Sequence, residues 1–222
     1  MRQGLRIAVE GNIGVGKSTL LPRLQQILSG GAPWDVMSER VDEDPEFKNL
    51  LKAFYDDPNK QVQLQSWITH RRLREFRALQ GNPTNYIFER SFMGELVFCH
   101  ANLVRHEKPE GPYIRFFYDV VAALKECRYD AVIYLKAAPD TCFSRIKFRA
   151  RDAENTIPFE YVQYLNACYE AHLPETARAH DIPLVTVDWD KFGSAEDVAE
   201  RLQTTLDFYG QDNLPEIKAK AG

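Results

Sequence analysis

The sequence contains no run of 18 apolar residues, so no membrane-spanning helix is expected. It has no excess of basic charge: 28 Lys and Arg stand against 32 Asp and Glu, a formal net charge of −4. A duplex nucleic-acid partner asks for a basic face and is therefore not expected. This acidity does not exclude phosphate ligands, because backbone amides and a few arginines suffice to hold them. Cysteine is scarce: Cys99, Cys127, Cys142 and Cys168 are the 4 in the chain, and they form no C-x-x-C pair. Four reduced, mostly buried thiols are expected rather than a disulfide or zinc framework. Internal repeats and low-complexity tracts are also missing. The first strand-like segment begins at Leu5, so no signal or transit peptide is expected before it. Together these features point to a cytoplasmic protein.

What is present is 44% hydrophobic and 27% charged residues over 222 positions, enough for one domain with a core. Leu5–Glu10, Trp34–Ser38, Tyr86–Phe88, Ala131–Leu135 and Pro183–Val187 read as short buried strands. Helical patterns run from Lys17 to Leu28, Pro45 to Tyr55, Gln61 to Leu79, 91–106, 112–126, from Pro139 onward, Pro158 to Ala179 and Ser194 to Tyr209. Gly30-Gly31, Gly81-Asn82-Pro83 and the stretch Lys108 to Pro112 punctuate them. Pro22, inside the first helix, is expected to cost stability. Strands alternating with helices predict an α/β fold: a five-stranded parallel sheet flanked by helices, in one domain over 1–222. The tail 211–222 is polar and expected to be loose.

Gly11-Asn12-Ile13-Gly14-Val15-Gly16-Lys17-Ser18, followed by Thr19, fits G-x-x-x-x-G-K-[ST] between a strand and a helix. Glycines let the backbone wrap a polyphosphate with its N–H groups turned inward. The helix that follows offers its amino end to the same anion. In this motif Lys17 reaches the β- and γ-phosphates of ATP, and the Ser18 hydroxyl is placed for Mg2+. A guanine-reading N-K-x-D is missing, since Asn59-Lys60 runs into Gln61-Val62, and a GTPase switch is disfavoured.

Two acids follow strands on the side where an open α/β sheet binds its ligand. Glu39 is placed to accept the proton of an attacking hydroxyl, or else is a solvated acid in a charged loop with Asp42, Glu43 and Asp44. Glu89-Arg90-Ser91 offers an acid for magnesium and an arginine for phosphate, or else a helix start with Ser91 as its cap. Arg145, Arg149 and Arg151 cluster near a helix end, with Arg145 and Arg149 sharing a face. An anion between these like charges, as in phosphoryl transfer, is one explanation. A solvated basic face is the other.

In order and spacing, these residues resemble the deoxynucleoside kinases, the family of deoxycytidine, deoxyguanosine, deoxyadenosine and mitochondrial-type thymidine kinases. The likeness rests on Gly11–Thr19 (GNIGVGKST), Glu39, Leu64-Gln65-Ser66-Trp67, Glu89-Arg90-Ser91, Arg145–Glu154 (RIKFRARDAE) and Ile157–Leu173. It covers about residues 5–192 and implies a P-loop kinase with an arginine-rich lid over 145–157. Glu39 would deprotonate a nucleoside 5′-hydroxyl, with Arg90 supporting it. Tyr55 and Glu170 would hold the sugar 3′-hydroxyl. Gln65 would pair with the base edge, in a pocket shared with Ile68, Arg72 and Glu95. Arg149 and Arg151, with Arg145, would meet the ATP phosphates, and Asp188–Phe192, including Asp190, would lie against adenine. Ser18 and Glu89 would hold Mg2+, partly through water. Helices 91–106 and 112–126 would build a homodimer. Departures from the family pattern are Arg40 for a proline, Leu64 for an aromatic residue, and Glu95-Leu96 for Asp-Arg.

The Arg72 and Glu95 pair resembles the deoxycytidine and deoxyguanosine kinases rather than thymidine kinase. An ionised carboxylate only accepts hydrogen bonds, so Glu95 suits an exocyclic amino group. Thymine would set acceptor against acceptor, at a cost of about 1–3 kcal/mol. A surface ion pair outside the pocket is the alternative. The expected activity is ATP-dependent 5′-phosphorylation of deoxynucleosides in salvage, favouring cytosine or a purine over thymine. Two other readings stand beside it: a nucleoside-monophosphate kinase of the thymidylate kinase type, and a non-catalytic ATP-binding regulatory protein.

Overall fold

The computed structural model describes residues 4–39, 43–105, 111–151 and 154–209. Expectations for Arg40, Asp42, Lys108 to Glu110 and the tail 211–222 lie outside these residues. Five strands, β1 (Arg6–Glu10), β2 (Trp34–Met37), β3 (Asn85–Glu89), β4 (Ala131–Lys136) and β5 (Leu184–Asp188), form one sheet in the order β2-β3-β1-β4-β5. Every pairing is parallel. The helices are α1 (Lys17–Leu28), α2 (Pro45–Asp56), α3 (Gln61–Ala78), α4 (Phe92–Arg105), α5 (Gly111–Glu126), α6 (Pro139–Arg149), α7 (Phe159–Ala179) and α8 (Ala195–Phe208). None of them is long and apolar enough to cross a membrane.

Strands covered on both faces lose the in–out alternation of a half-exposed sheet and read as continuous apolar runs. All five residues of β1 and of β3 are buried accordingly. Strand β3 extends one residue beyond the expected apolar run at each end. Asn85 belongs to it because its Oδ1 accepts the Leu5 N–H at 2.8 Å. Glu89 belongs to it because its carboxylate is used at the strand end. The register sets Val9 beside Glu89 and Glu10 beside Tyr134. Carboxylates thus emerge together at the carboxyl end of the sheet. There β1 has β3 on one side and β4 on the other, the switch point where such sheets bind ligands.

Both α1 and α7 run through an interior proline, Pro22 and Pro174 respectively. Each proline is exposed, while buried Leu20, Leu21 and Leu24 hold α1 to the sheet. Tertiary burial therefore outweighs the local loss. All four cysteines are free and buried.

Candidate active site

The loop between β1 and α1 turns through left-handed backbone at Gly14 (φ 77°) and Gly16 (φ 108°). Side chains are barred there twice over: a Cβ on Gly14 would stand 2.4 Å from the Cys142 carbonyl oxygen. Lys17 Nζ lies across the loop and donates to the carbonyls of Gly11 (3.2 Å) and Asn12 (3.1 Å). Burial, and next the charge of Arg90, lower its pKa to about 8, so the ammonium persists at neutral pH. Asn12 Oδ1 accepts the Ile13 N–H at 2.8 Å, and its Nδ2 donates to the Val162 carbonyl at 3.0 Å, tying the loop to α7. Ser18 Oγ donates to Glu89 Oε1 at 2.9 Å. A hydroxyl and a carboxylate this close form a hard oxygen pair of the kind Mg2+ takes.

Glu39 follows β2 and does not stand free in solvent. Arg90 Nε donates to Glu39 Oε2 at 3.2 Å, and Arg72 lies 3.5 Å from Oε1. Arg71 holds the same turn, donating to the Glu39 carbonyl at 3.2 Å and pairing with Asp44 at 3.5 Å. Burial alone would raise the Glu39 carboxyl, but Arg90, Arg72 and Lys17 together hold it below its ordinary value. It is ionised at neutral pH.

The arginine cluster needs no shared anion to explain it. Arg145 donates to the carbonyls of Val15 (2.7 Å), Trp189 (3.0 Å) and Asp190 (2.9 Å), and lies 4.1 Å from the Phe192 ring centroid. Arg149 and Arg151 both pair with the buried Glu154, Arg151 at 3.0 Å. The expected mutual repulsion is thus answered by separate acceptors. Phe192 packs against Gly16. The carboxylate of Asp190, in contrast, accepts the Ala138 N–H at 2.7 Å and does not line the cavity.

One cavity of about 630 Å³ runs from the phosphate loop to the amino-terminal halves of α3 and α4. Gly14, Lys17, Ser18 and Thr19 line one end, Gln65, Ile68 and Glu95 the other, with Glu39 and Arg90 between them. Arg72 stands behind Glu95, 3.1 Å away, and both side chains are under a tenth exposed. A surface ion pair is thereby excluded. Gln65 is buried, and its Oε1 accepts a weak bond from Cys99 Sγ at 3.5 Å. Tyr55 lines the cavity near Glu154; burial, then neighbouring Tyr161 and Glu154, raise its phenol well above the usual range, so it remains a donor.

Glu170 corrects the sequence reading. It is half-exposed on α7, 3.1 Å from Lys136, and outside the cavity lining. Successive helical residues point about 100° apart. Tyr169, one position earlier, faces inward and turns Glu170 outward. The acid that does line the cavity beside Tyr55 is Glu154. Its place three residues after Arg151 and five after Arg149 was the available signal. Glu10 and Phe98 were likewise not singled out. The carboxylate of Glu10, fully buried, accepts from Ser91 Oγ at 2.7 Å, and Phe98 lines the cavity.

A parallel sheet with a glycine-rich phosphate cradle, an oxygen pair at its mouth and an ionised acid in the same cavity defines a P-loop phosphotransferase. The profile of the deoxynucleoside kinase family matches residues 7–208. A deoxyadenosine kinase of Dictyostelium discoideum is 26% identical over 220 residues, covering 96% of this chain and 85% of that protein. A probable deoxycytidine kinase of fowlpox virus is 31% identical over 192 residues, covering 83% and 79%. The structure of a deoxyadenosine kinase from M. mycoides with bound dATP superposes with a TM-score of 0.72 at 28% identity, covering 91% of this chain and all of that one. The chain belongs to the deoxynucleoside kinase family, whose members are transferases.

Proposed function

We propose that this chain is one kinase domain that transfers the γ-phosphoryl group of ATP to the 5′-hydroxyl of a deoxynucleoside carrying an amino-bearing base, cytosine or a purine. The observation that carries this reading is the continuous cavity, with Lys17 and Ser18 at one end, Gln65 and Glu95 at the other, and Glu39 between. Glu39 takes the hydroxyl proton as the new O–P bond forms and ADP leaves. Lys17, Arg149 and Arg151 offset charge on the moving group, and the latter two exchange Glu154 for phosphate. Ser18 and Glu89 are the residues that would hold Mg2+, which neutralises phosphate charge when bound. Arg145 and Phe192 flank the adenine of ATP.

At the acceptor end, Tyr55 and Glu154 hold the sugar 3′-hydroxyl. Gln65 reads the base edge, Glu95 accepts from its amino group, and Arg72 supports Glu95. The carboxylates Glu39, Glu95 and Glu154 at this end favour a neutral nucleoside over a monophosphate. A coupled ATP assay over the four deoxynucleosides and their monophosphates tests the reading. Phosphorylation of deoxycytidine or a purine deoxynucleoside supports it, and turnover of monophosphates alone overturns it. The setting is cytoplasmic salvage, in keeping with four free thiols. The homodimer is assigned to α5, which exposes Ile114 and Tyr118, because α4 is covered by helices of its own chain. Sedimentation of wild type and Tyr118→Glu measures this: a wild-type monomer removes it.

A further inference from the structure

Arg90 is a non-glycine residue in left-handed backbone, at φ 70°. An L-residue there is strained and persists only where its surroundings over-determine it. The surroundings do so. The guanidinium donates to the Gly11 carbonyl (2.9 Å), the Tyr169 hydroxyl (2.6 Å) and Glu39 (3.2 Å), and lies 5.0 Å from the Phe98 ring centroid. Behind it is Glu10, fully buried at the end of β1. Glu10 Oε1 accepts the Ser91 N–H and, at 2.7 Å, the Ser91 Oγ–H. Its Oε2 accepts the Tyr169 hydroxyl at 3.1 Å and lies 3.8 Å from Arg90. The space is shaped for this carboxylate: a Cβ on Gly94 would come within 2.4 Å of Oε1.

Tyr169 therefore has two jobs at one atom. It accepts from Arg90, and it satisfies the Glu10 oxygen that would otherwise compete with Glu39 for the same guanidinium. We propose that Glu10 and Tyr169 are positioning residues that hold Arg90 against Glu39. The proposal rests on the phosphotransfer reading above, in which Arg90 and Glu39 meet the substrate; Glu10 and Tyr169 do not line the cavity.

In Tyr169→Phe, the bare Glu10 carboxylate draws Arg90 toward itself and away from Glu39. With cooperative unfolding retained, kcat falls about tenfold while KM for ATP and for the nucleoside changes less than about twofold, the pattern of a misplaced transition-state contact. Added to Arg90→Met, Tyr169→Phe costs nothing more, since it acts through that side chain. The Arg90 Nε–H resonance, assigned by its loss in Arg90→Lys, becomes exposed to exchange in Tyr169→Phe. Glu10→Gln removes the competing charge, so added to Tyr169→Phe it returns kcat and the resonance toward wild type. This double variant serves if Tyr169→Phe alone fails to fold. Wild-type kcat with an unchanged resonance, or losses that add to those of Arg90→Met, overturns the proposal. A wild type inactive on every nucleoside removes the functional reading instead, and the Arg90 resonance still decides the positioning.

Discussion

At the donor end of the cavity the polyphosphate cradle is backbone: three glycines with positive φ, amides at the start of α1, and one lysine folded over the loop. At the acceptor end the polar groups are buried or partly buried side chains from four parts of the chain. Glu39 follows β2, Arg72 is on α3, Arg90 follows β3 and Glu95 is on α4. A backbone cradle is held by its own loop and can lose a side chain without collapsing. A buried charge network balances only as a whole, because an acid or a cation stripped of its partner in low dielectric is costly. Damage at the donor end should therefore appear in rate alone, and damage at the acceptor end in rate, specificity and stability together.

Lys17→Ala is the largest expected effect and tests the first half of that contrast. Phosphorylation should fall by about a hundredfold or more, since the ammonium supplies transition-state charge stabilisation of a few kcal/mol. The unfolding midpoint should hold, because burial already disfavours the charged lysine. An unfolded variant would show that the cradle is not separable from the core. Glu39→Gln comes next: kcat should drop by about a hundredfold with little change in substrate binding. Arg72 and Arg90 also lose a counter-charge, so thermal stability should fall, unlike that of Lys17→Ala. A fully active variant would move the base to Glu43, which lines the same cavity.

The same contrast explains what could be read from the chain. The cradle was legible because its chemistry is contiguous: eight residues between a buried strand and a helix specify it. The central strands β1, β3 and β4 were legible because buried parallel strands are largely apolar runs. The partly buried edge strands β2 and β5 are short apolar-rich segments, and each expected range overlaps the observed one. The acceptor end was legible only in pieces. Glu39, Gln65 and Glu95 could be named, but the choice between Glu154 and Glu170 depends on which way a turn of α7 faces, and spacing alone chose wrongly. Glu10 and Asn85 were lost in apolar runs, since a buried polar residue satisfied by a distant backbone or hydroxyl leaves no local signal.

The sugar contact turns that correction into a measurement. Tyr55→Phe and Glu154→Gln should each raise KM for deoxynucleosides by about tenfold, the worth of one hydrogen bond to a buried or charged group. Analogues lacking the 3′-hydroxyl should change less. Glu170→Gln should alter neither, because its carboxylate meets Lys136 at a half-exposed site. Sensitivity at 170 with none at 154 would return the acceptor end to its sequence-based assignment.

The smallest expected effect, and the one that most sharpens the contrast, is the pH dependence of base choice. Burial raises the Glu95 carboxyl from 4.5 to about 7 despite the opposing charge of Arg72, with Glu39 and Glu10 adding to the rise. An acid raised in the folded state contributes stability that is complete below its unfolded value and lost as pH climbs through the folded one. The window therefore lies between 4.5 and about 7. Glu95→Gln, which never ionises, should match wild type in melting temperature at the acid end of this window and exceed it above neutrality. Unlike at Glu39, the burial cost of this carboxylate outweighs what its pairing with Arg72 returns. Base choice follows the same proton. Ionised Glu95 only accepts, and so favours an amino group; protonated Glu95 also donates, and tolerates the thymine carbonyl. The ratio of kcat/KM for deoxycytidine to that for thymidine should thus widen several-fold between about pH 6 and about pH 8, within the about 1–3 kcal/mol that an acceptor–acceptor mismatch costs. Arg72→Met combined with Glu95→Ala should flatten the trend. A thymidine preference in the wild type, or a ratio indifferent to pH, would take Glu95 out of base reading and leave it a structural partner of Arg72.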